Sequence, residues 1–189
     1  MKKTFCCFFF IVIQAASGQS GFAKLESVRL NQLDRKIFSG SEIKNNAATV
    51  FVFLLPDCPA CQGYSLTLNQ LYSRFQSKGI AFYGVFPGKY NSEKEMKEFQ
   101  NDYHILFPLI TDPEKKLVKS LDAKLAPEAY VVNSSGETVY HGRIDDWMYA
   151  IGKKKMAPTT HELEDALNSL AHHQPVKIQH ANAVGCIIE

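Results

Sequence analysis

Apolar and polar positions along this chain alternate between two kinds of stretch. Thr49 to Leu55 is a continuous apolar run, and continuity rather than alternation predicts a strand buried on both faces. The following segment, Gln62 to Lys78, carries Leu66, Leu68, Leu71, Tyr72 and Phe75 at roughly helical spacing and is closed by Lys78-Gly79. Ile80 to Phe86 reads as a second buried strand ending at the turn Pro87-Gly88, and Asn91-Ser92 caps a helix from Glu93 to about Asp102. Phe107 to Ile110 reads as a short strand. Asp112-Pro113 has the signature of a helix start, with Asp as N-cap and Pro at the first position. Ala129–Asn133 and Thr138–His141 form a hairpin around Ser134-Ser135-Gly136, and Thr159-Thr160 leads into a last helix through about His172. Ahead of these, Leu25 to Phe38 alternates weakly, as a short opening hairpin turning near Asn31 to Lys36. Strands alternating with helices, then a hairpin and a terminal helix, predict an α/β fold, a three-layer α/β/α sandwich with a mixed central sheet.

The N-terminus stands apart from this pattern. Lys2 and Lys3 make a positive start, Phe5 to Ile13 is apolar, and Ala15-Ala16-Ser17-Gly18 offers small residues for cleavage. The expectation is a signal peptide over 1–18, a folded domain over 24–173, and a tail over 174–189 with no obvious place in the core. The apolar stretch is short for a bilayer span, so the expectation is a periplasmic or secreted protein, off the membrane once the leader is cut. Cleavage would remove Cys6 and Cys7 and leave Cys58, Cys61 and Cys186. That is too few for a disulfide-stapled scaffold and better suited to redox or metal chemistry. A chain of 189 residues with 46% hydrophobic content can bury one full core, and a formal net charge of +2 gives no nucleic-acid footprint. The basic run Lys153-Lys154-Lys155 reads as a solvated loop.

The candidate chemistry lies where the first strand meets its helix, at Pro56-Asp57-Cys58-Pro59-Ala60-Cys61. Two thiols at this spacing on a helix's first turn can reach each other, and free N–H groups with the helix dipole favour a thiolate on the first. Cys58 is the candidate attacking thiol, and Cys61, one turn further and more buried, the candidate resolving thiol. A permanent structural disulfide is the bland alternative. Arg143, Asp145 and Asp146, at a strand end before Trp147, read as a structural ion-pair network rather than a substrate site. Cys186 has three readings: a free thiol on a mobile tail with solvated histidines, a resolving or disulfide partner, or a third sulfur with Cys58 and Cys61 around a soft metal such as copper or zinc, aided by His172, His173 or His180.

A strand, then Cys-Pro-Ala-Cys opening a helix, and a later Ala126-Pro127 just before a strand, together resemble the thioredoxin fold. The long insert before Pro127 resembles its redoxin branch, which includes peroxiredoxins and exported thiol–disulfide oxidoreductases. Phe107-Pro108-Leu109 with Thr111-Asp112-Pro113, Pro127-Glu128-Ala129-Tyr130, Gly142-Arg143-Ile144-Asp145-Asp146 and the late Gly185-Cys186 resemble a bacterial subgroup of redoxin-domain proteins. The resemblance implies that Pro127 is cis and faces the cysteine pair, leaving the backbone of Ala126 to pair with an extended substrate. It further implies exchange with protein disulfides or thiols and a redox partner protein, without an organic cofactor. Glu128 could carry a proton near the buried thiol, although a solvated side chain is its plainer reading. The chain departs from the family in having Asp57 where thioredoxins carry Trp and Pro59-Ala60 in place of Gly-Pro. The peroxidatic pattern Pro-x-x-x-Thr-x-x-Cys is unmet, with Phe51 and Leu55 in the Pro and Thr places, which disfavours the alternative of a peroxide reductase. The copper-delivery branch spaces its cysteines one residue wider.

Overall fold

The computed structural model describes residues 19–189; the leader expected over 1–18 lies outside them. In chain order the elements are α1 (Gln19–Glu26), β1 (Arg29–Asn31), β2 (Ile37–Ser39), a 3-10 turn (Gly40–Asn45), β3 (Ala48–Phe53), α2 (Pro59–Phe75), β4 (Ile80–Pro87), α3 (Glu93–Asp102), β5 (Leu109–Asp112), α4 (Lys116–Leu121), β6 (Leu125–Ala126), β7 (Glu128–Asn133), β8 (Thr138–Gly142), β9 (Met148–Ala150), β10 (Lys153–Lys154), α5 (Glu162–Ala171), β11 (His180–Ala181) and β12 (Cys186–Ile187). The main sheet has the order β11-β8-β7-β3-β4-β5. β3 runs parallel to β4 and antiparallel to β7, so the sheet is mixed, and helices flank it. All six residues of β3 are buried, as a continuous apolar run requires when both faces of a central strand are covered.

Local chemistry sets most boundaries. Ser92 and Glu95 form a reciprocal capping box: Glu95 N–H donates to Ser92 Oγ at 3.3 Å and Ser92 N–H to Glu95 Oε2 at 2.7 Å. That box starts α3 where the sequence predicts it. α2 begins at Pro59, three residues ahead of the predicted start, because Pro at the first helical position gives up an N–H that has no partner there anyway. It ends through a 3-10 turn (Gln76–Lys78) and Gly79, whose φ of 74° suits glycine. The opening hairpin is present as β1 and β2, but Leu25 belongs to α1.

Two expectations change. Asp112 does not stand next to the helix it caps: it ends β5, opposite Pro87, and α4 starts at Lys116. Its buried carboxylate reaches across the intervening turn to accept from the N–H groups of Lys116 (2.6 Å), Leu117 (2.8 Å) and Val118 (3.2 Å). The tail, which had no predicted place, supplies two strands: β11 pairs in parallel with β8, and β12 pairs antiparallel with β6.

The strand-end charges form a structural network, as read from the sequence. Arg143 pairs with Glu162, and Asp146 pairs with Lys155 while accepting from the N–H groups of Thr159 and Thr160. These bonds, led by those from Lys155 and Thr159, hold the Asp146 carboxyl well below the usual carboxylate range. The lysine run is therefore more than a solvated loop: Lys155 is paired and Lys154 lies over the Trp147 ring, 4.6 Å from its centroid. Asp145 accepts from the Tyr64 hydroxyl and the Trp147 N–H, both at 2.8 Å, which fixes this loop against α2.

Replacing Asp112 with Ala would leave three N–H groups at a buried helix start without their acceptor. We expect Asp112→Ala to lower unfolding stability by about 2 kcal/mol, read as a drop in the urea midpoint at unchanged slope.

Candidate functional site

The end of β3, the start of α2 and the β6–β7 junction converge on one sulfur. Cys58 is the residue just before the 17-residue helix α2, with extended backbone, and its own N–H donates to the Leu55 carbonyl at 3.1 Å. Across from it the Ala126–Pro127 peptide bond is cis. The Cys58 sulfur lies 3.3 Å from the Ala126 carbonyl oxygen. This much matches the geometry implied by the Cys-Pro-Ala-Cys and Ala-Pro motifs.

The partner of that sulfur is not the one the motif spacing suggests. Cys58 is disulfide-bonded to Cys186, 128 residues away, with the Cα atoms 6.2 Å apart. Cys186 arrives on β12, opposite Ala126. A sulfur expected at an exposed strand end is therefore only 2% exposed, because the tail covers it.

Cys61 is the free cysteine among the described residues and is fully buried. The Leu55 N–H donates to its sulfur at 3.4 Å. Burial pushes its thiol up to about 12; the Leu55 N–H opposes that rise, and the Asp57 charge adds to it. At neutral pH Cys61 is thus a protonated thiol. The thiolate is the attacking form, so attack by Cys61 on a disulfide at Cys58 requires that its proton leave as the bond forms.

Glu128 is buried rather than solvated, because its carboxylate turns back over the β6–β7 junction. Oε2 lies 3.4 Å from both the Lys124 and Leu125 nitrogens. Together with burial, its charge raises the neighbouring Tyr130 hydroxyl above its ordinary range. In the soft-metal alternative of Cys58, Cys61 and Cys186, two of the three sulfurs are bonded to each other here. Among the described residues no group of three or more His, Cys, Asp or Glu is placed to hold a metal. His180, one proposed nitrogen donor, instead packs on His141 with ring centroids 4.3 Å apart, and His172 Nδ1 lies 2.8 Å from the Asn168 carbonyl.

Sequence reading missed the residues that hold the tail. The His141 and Arg143 N–H groups donate to the Gln179 and Ala181 carbonyls at 2.9 and 3.1 Å, and Ile188 N–H donates to the Lys124 carbonyl at 2.9 Å. At Gly142, φ is 137° and a Cβ would lie 1.9 Å from the Ala181 carbonyl oxygen, so only glycine lets β11 come so close. The available signal was a glycine at each point of close approach, Gly142 and Gly185.

The fold is that of the thioredoxin-like redoxin branch. The chain belongs to the AhpC/TSA family, whose profile matches residues 23–141. It is 22% identical over 156 residues to the thiol-disulfide oxidoreductase ResA of Bacillus thuringiensis, a match spanning 74% of this chain and 88% of the relative. An uncharacterized conserved protein from Geobacillus kaustophilus has the same fold, with TM-score 0.75 and 24% identity over 87% of this chain and 89% of that one. So does a secreted disulfide oxidoreductase of Mycobacterium tuberculosis homologous to E. coli DsbE, with TM-score 0.56 and 16% identity over 80% and 98% of the two chains. Among the described residues no helix is long and apolar enough to cross a membrane.

The His141 ring is stacked between Tyr130 and His180, and its Nδ1 is buried without a hydrogen-bond partner. Burial, and then the His180 neighbour, lower its pKa from the ordinary 6.5, against a smaller opposite pull from Glu128. A histidine with a depressed folded pKa binds fewer protons folded than unfolded. Stability therefore falls as pH drops below the unfolded value of 6.5 and is full above it. We expect tail docking to loosen on acidification through pH 6, seen as faster hydrogen exchange at the His141 and Arg143 amides than the intrinsic rate predicts. Replacing His141 with Phe should remove that pH dependence.

Proposed function

We propose that this protein is an exported enzyme that exchanges electrons with cysteine-bearing proteins, with Cys58 as attacking thiol, Cys61 as resolving thiol and Pro127 shaping the groove that receives the partner. One observation carries the reading: the Cys58 sulfur is covalently joined to a cysteine presented on an extended strand paired beside Ala126–Pro127. That is the arrangement a mixed disulfide with a substrate polypeptide would have.

The chemistry follows from position. At the N-terminus of a long helix, Cys58 meets the positive end of the dipole and unpaired N–H groups, which lower the cost of a thiolate once the tail bond is open. A more stable thiolate is also a better leaving group. Cys58 attacks one sulfur of a partner disulfide, and the other partner sulfur leaves as a thiolate. Cys61, which lies one helical turn along, attacks the Cys58 side of the mixed disulfide. The Cys58–Cys61 bond forms, and the partner leaves as a thiol carrying the Cys61 proton. A second protein, a redox donor or acceptor, resets the pair. Export is supported by the leader pattern of the first 18 residues and by a disulfide that persists only in an oxidising compartment.

Reduction of insulin by the protein in a dithiol buffer tests the roles. Cys58→Ser should bring turnover down to the uncatalysed background. Cys61→Ala should also stop turnover but accumulate a covalent Cys58–insulin adduct visible by mass. An active Cys58→Ser variant would refute the assignment.

A further inference from the structure

The last strand lies where a bound polypeptide would lie, and it shows what such a polypeptide must look like. β12 runs antiparallel to β6 with Cys186 opposite Ala126 and Ile187 opposite Leu125. The Ile188 N–H donates to the Lys124 carbonyl at 2.9 Å. Main-chain pairing of this kind supplies affinity without sequence preference. Preference enters at Gly185. A Cβ there would lie 2.3 Å from the Ala126 oxygen, 2.7 Å from its carbonyl carbon and 3.1 Å from the Pro127 nitrogen. All three are backbone atoms and none can swing aside. Among the described residues, the glycines with positive φ are Gly79, Gly88, Gly136, Gly142 and Gly152, and Gly185 is not one of them. The position therefore demands space rather than an unusual backbone conformation.

We propose that the groove along β6 is a peptide-recognition site selective for extended segments in which glycine immediately precedes the reacting cysteine, and that Val184-Gly185-Cys186-Ile187-Ile188 is its built-in occupant. This rests on Cys58 being the attacking thiol. A partner engages by replacing the tail. When a partner thiol attacks Cys58 of the Cys58–Cys186 bond, the Cys58–partner bond forms, Cys186 leaves as a thiolate, and the partner's proton passes to it. One disulfide is exchanged for another, so no further oxidant or reductant is consumed. Because the tail's β11 stays paired with β8 at His141 and Gly142, the released Cys186 stays close and competes for the groove.

Two experiments on the full chain test this. The first uses the Cys61→Ala/Cys186→Ser variant, with symmetric disulfide dimers of acetyl-Val-Gly-Cys-Ile-Ile-amide and acetyl-Val-Ala-Cys-Ile-Ile-amide as probes. Cys58 attacks one sulfur and releases the other peptide as a thiol, and the adduct is followed by intact mass. The glycine peptide should be captured at least about tenfold faster, the scale expected for forcing a methyl group into backbone. Equal capture would overturn the glycine selectivity and leave Cys58's role standing, whereas capture of neither peptide would overturn that role and the proposal with it. The second places Gly185→Ala, all three cysteines intact, in a glutathione redox buffer and maps its disulfides by peptide mass. The Cys58–Cys186 fraction relative to other Cys58 adducts should fall about tenfold from wild type; unchanged pairing would overturn the proposal.

Discussion

The antiparallel pairing of Cys186 with Ala126 is the contact on which the rest of the site depends. It brings a third sulfur onto Cys58, which is buried there, while Cys186 itself stays partly exposed. The two backbones meet closely there because Gly185 contributes no side chain. Such closeness is strict about what can occupy it and indifferent to most of the occupant's side chains.

The sheet makes this contact possible. β3 is buried on both faces and flanked by β4 and β7, so its end is a fixed point. α2 starts after five intervening residues, at Pro59, and Tyr64, Asp145 and Trp147 hold its first turns against the loop after β8. The same hairpin, β7–β8, carries the cis bond just ahead of β7 and, at the same open end, the β8 edge on which β11 docks. One sheet thus positions Cys58, the cis Ala126–Pro127 bond and the strand that anchors the tail.

Electrically the two motif cysteines are separated by environment more than by distance along the chain. Cys58 stands at the positive end of a helix; Cys61 lies in the core, where burial keeps its proton on.

Much of this was legible in the chain itself. The buried strand β3, the capped helix α3 and the cysteine pair between strand and helix follow from hydrophobic period, capping chemistry and spacing, all of which act over a few residues. Ala126-Pro127 was legible through resemblance, and so was its cis bond. Asp112 was recognised as a cap, but not that its carboxylate would span a turn to reach α4, because that depends on β5 continuing to Asp112 against Pro87. The burial of Glu128 and the place of the tail were not legible. β11 and β12 are two residues each, too short to carry any periodic signal, and their partners lie dozens of residues upstream. Local sequence determined which residues could do the chemistry; only the tertiary structure decided which sulfur Cys58 would meet, because strand pairing across such a separation is chosen by the sheet's free edges and not by the strand's own residues.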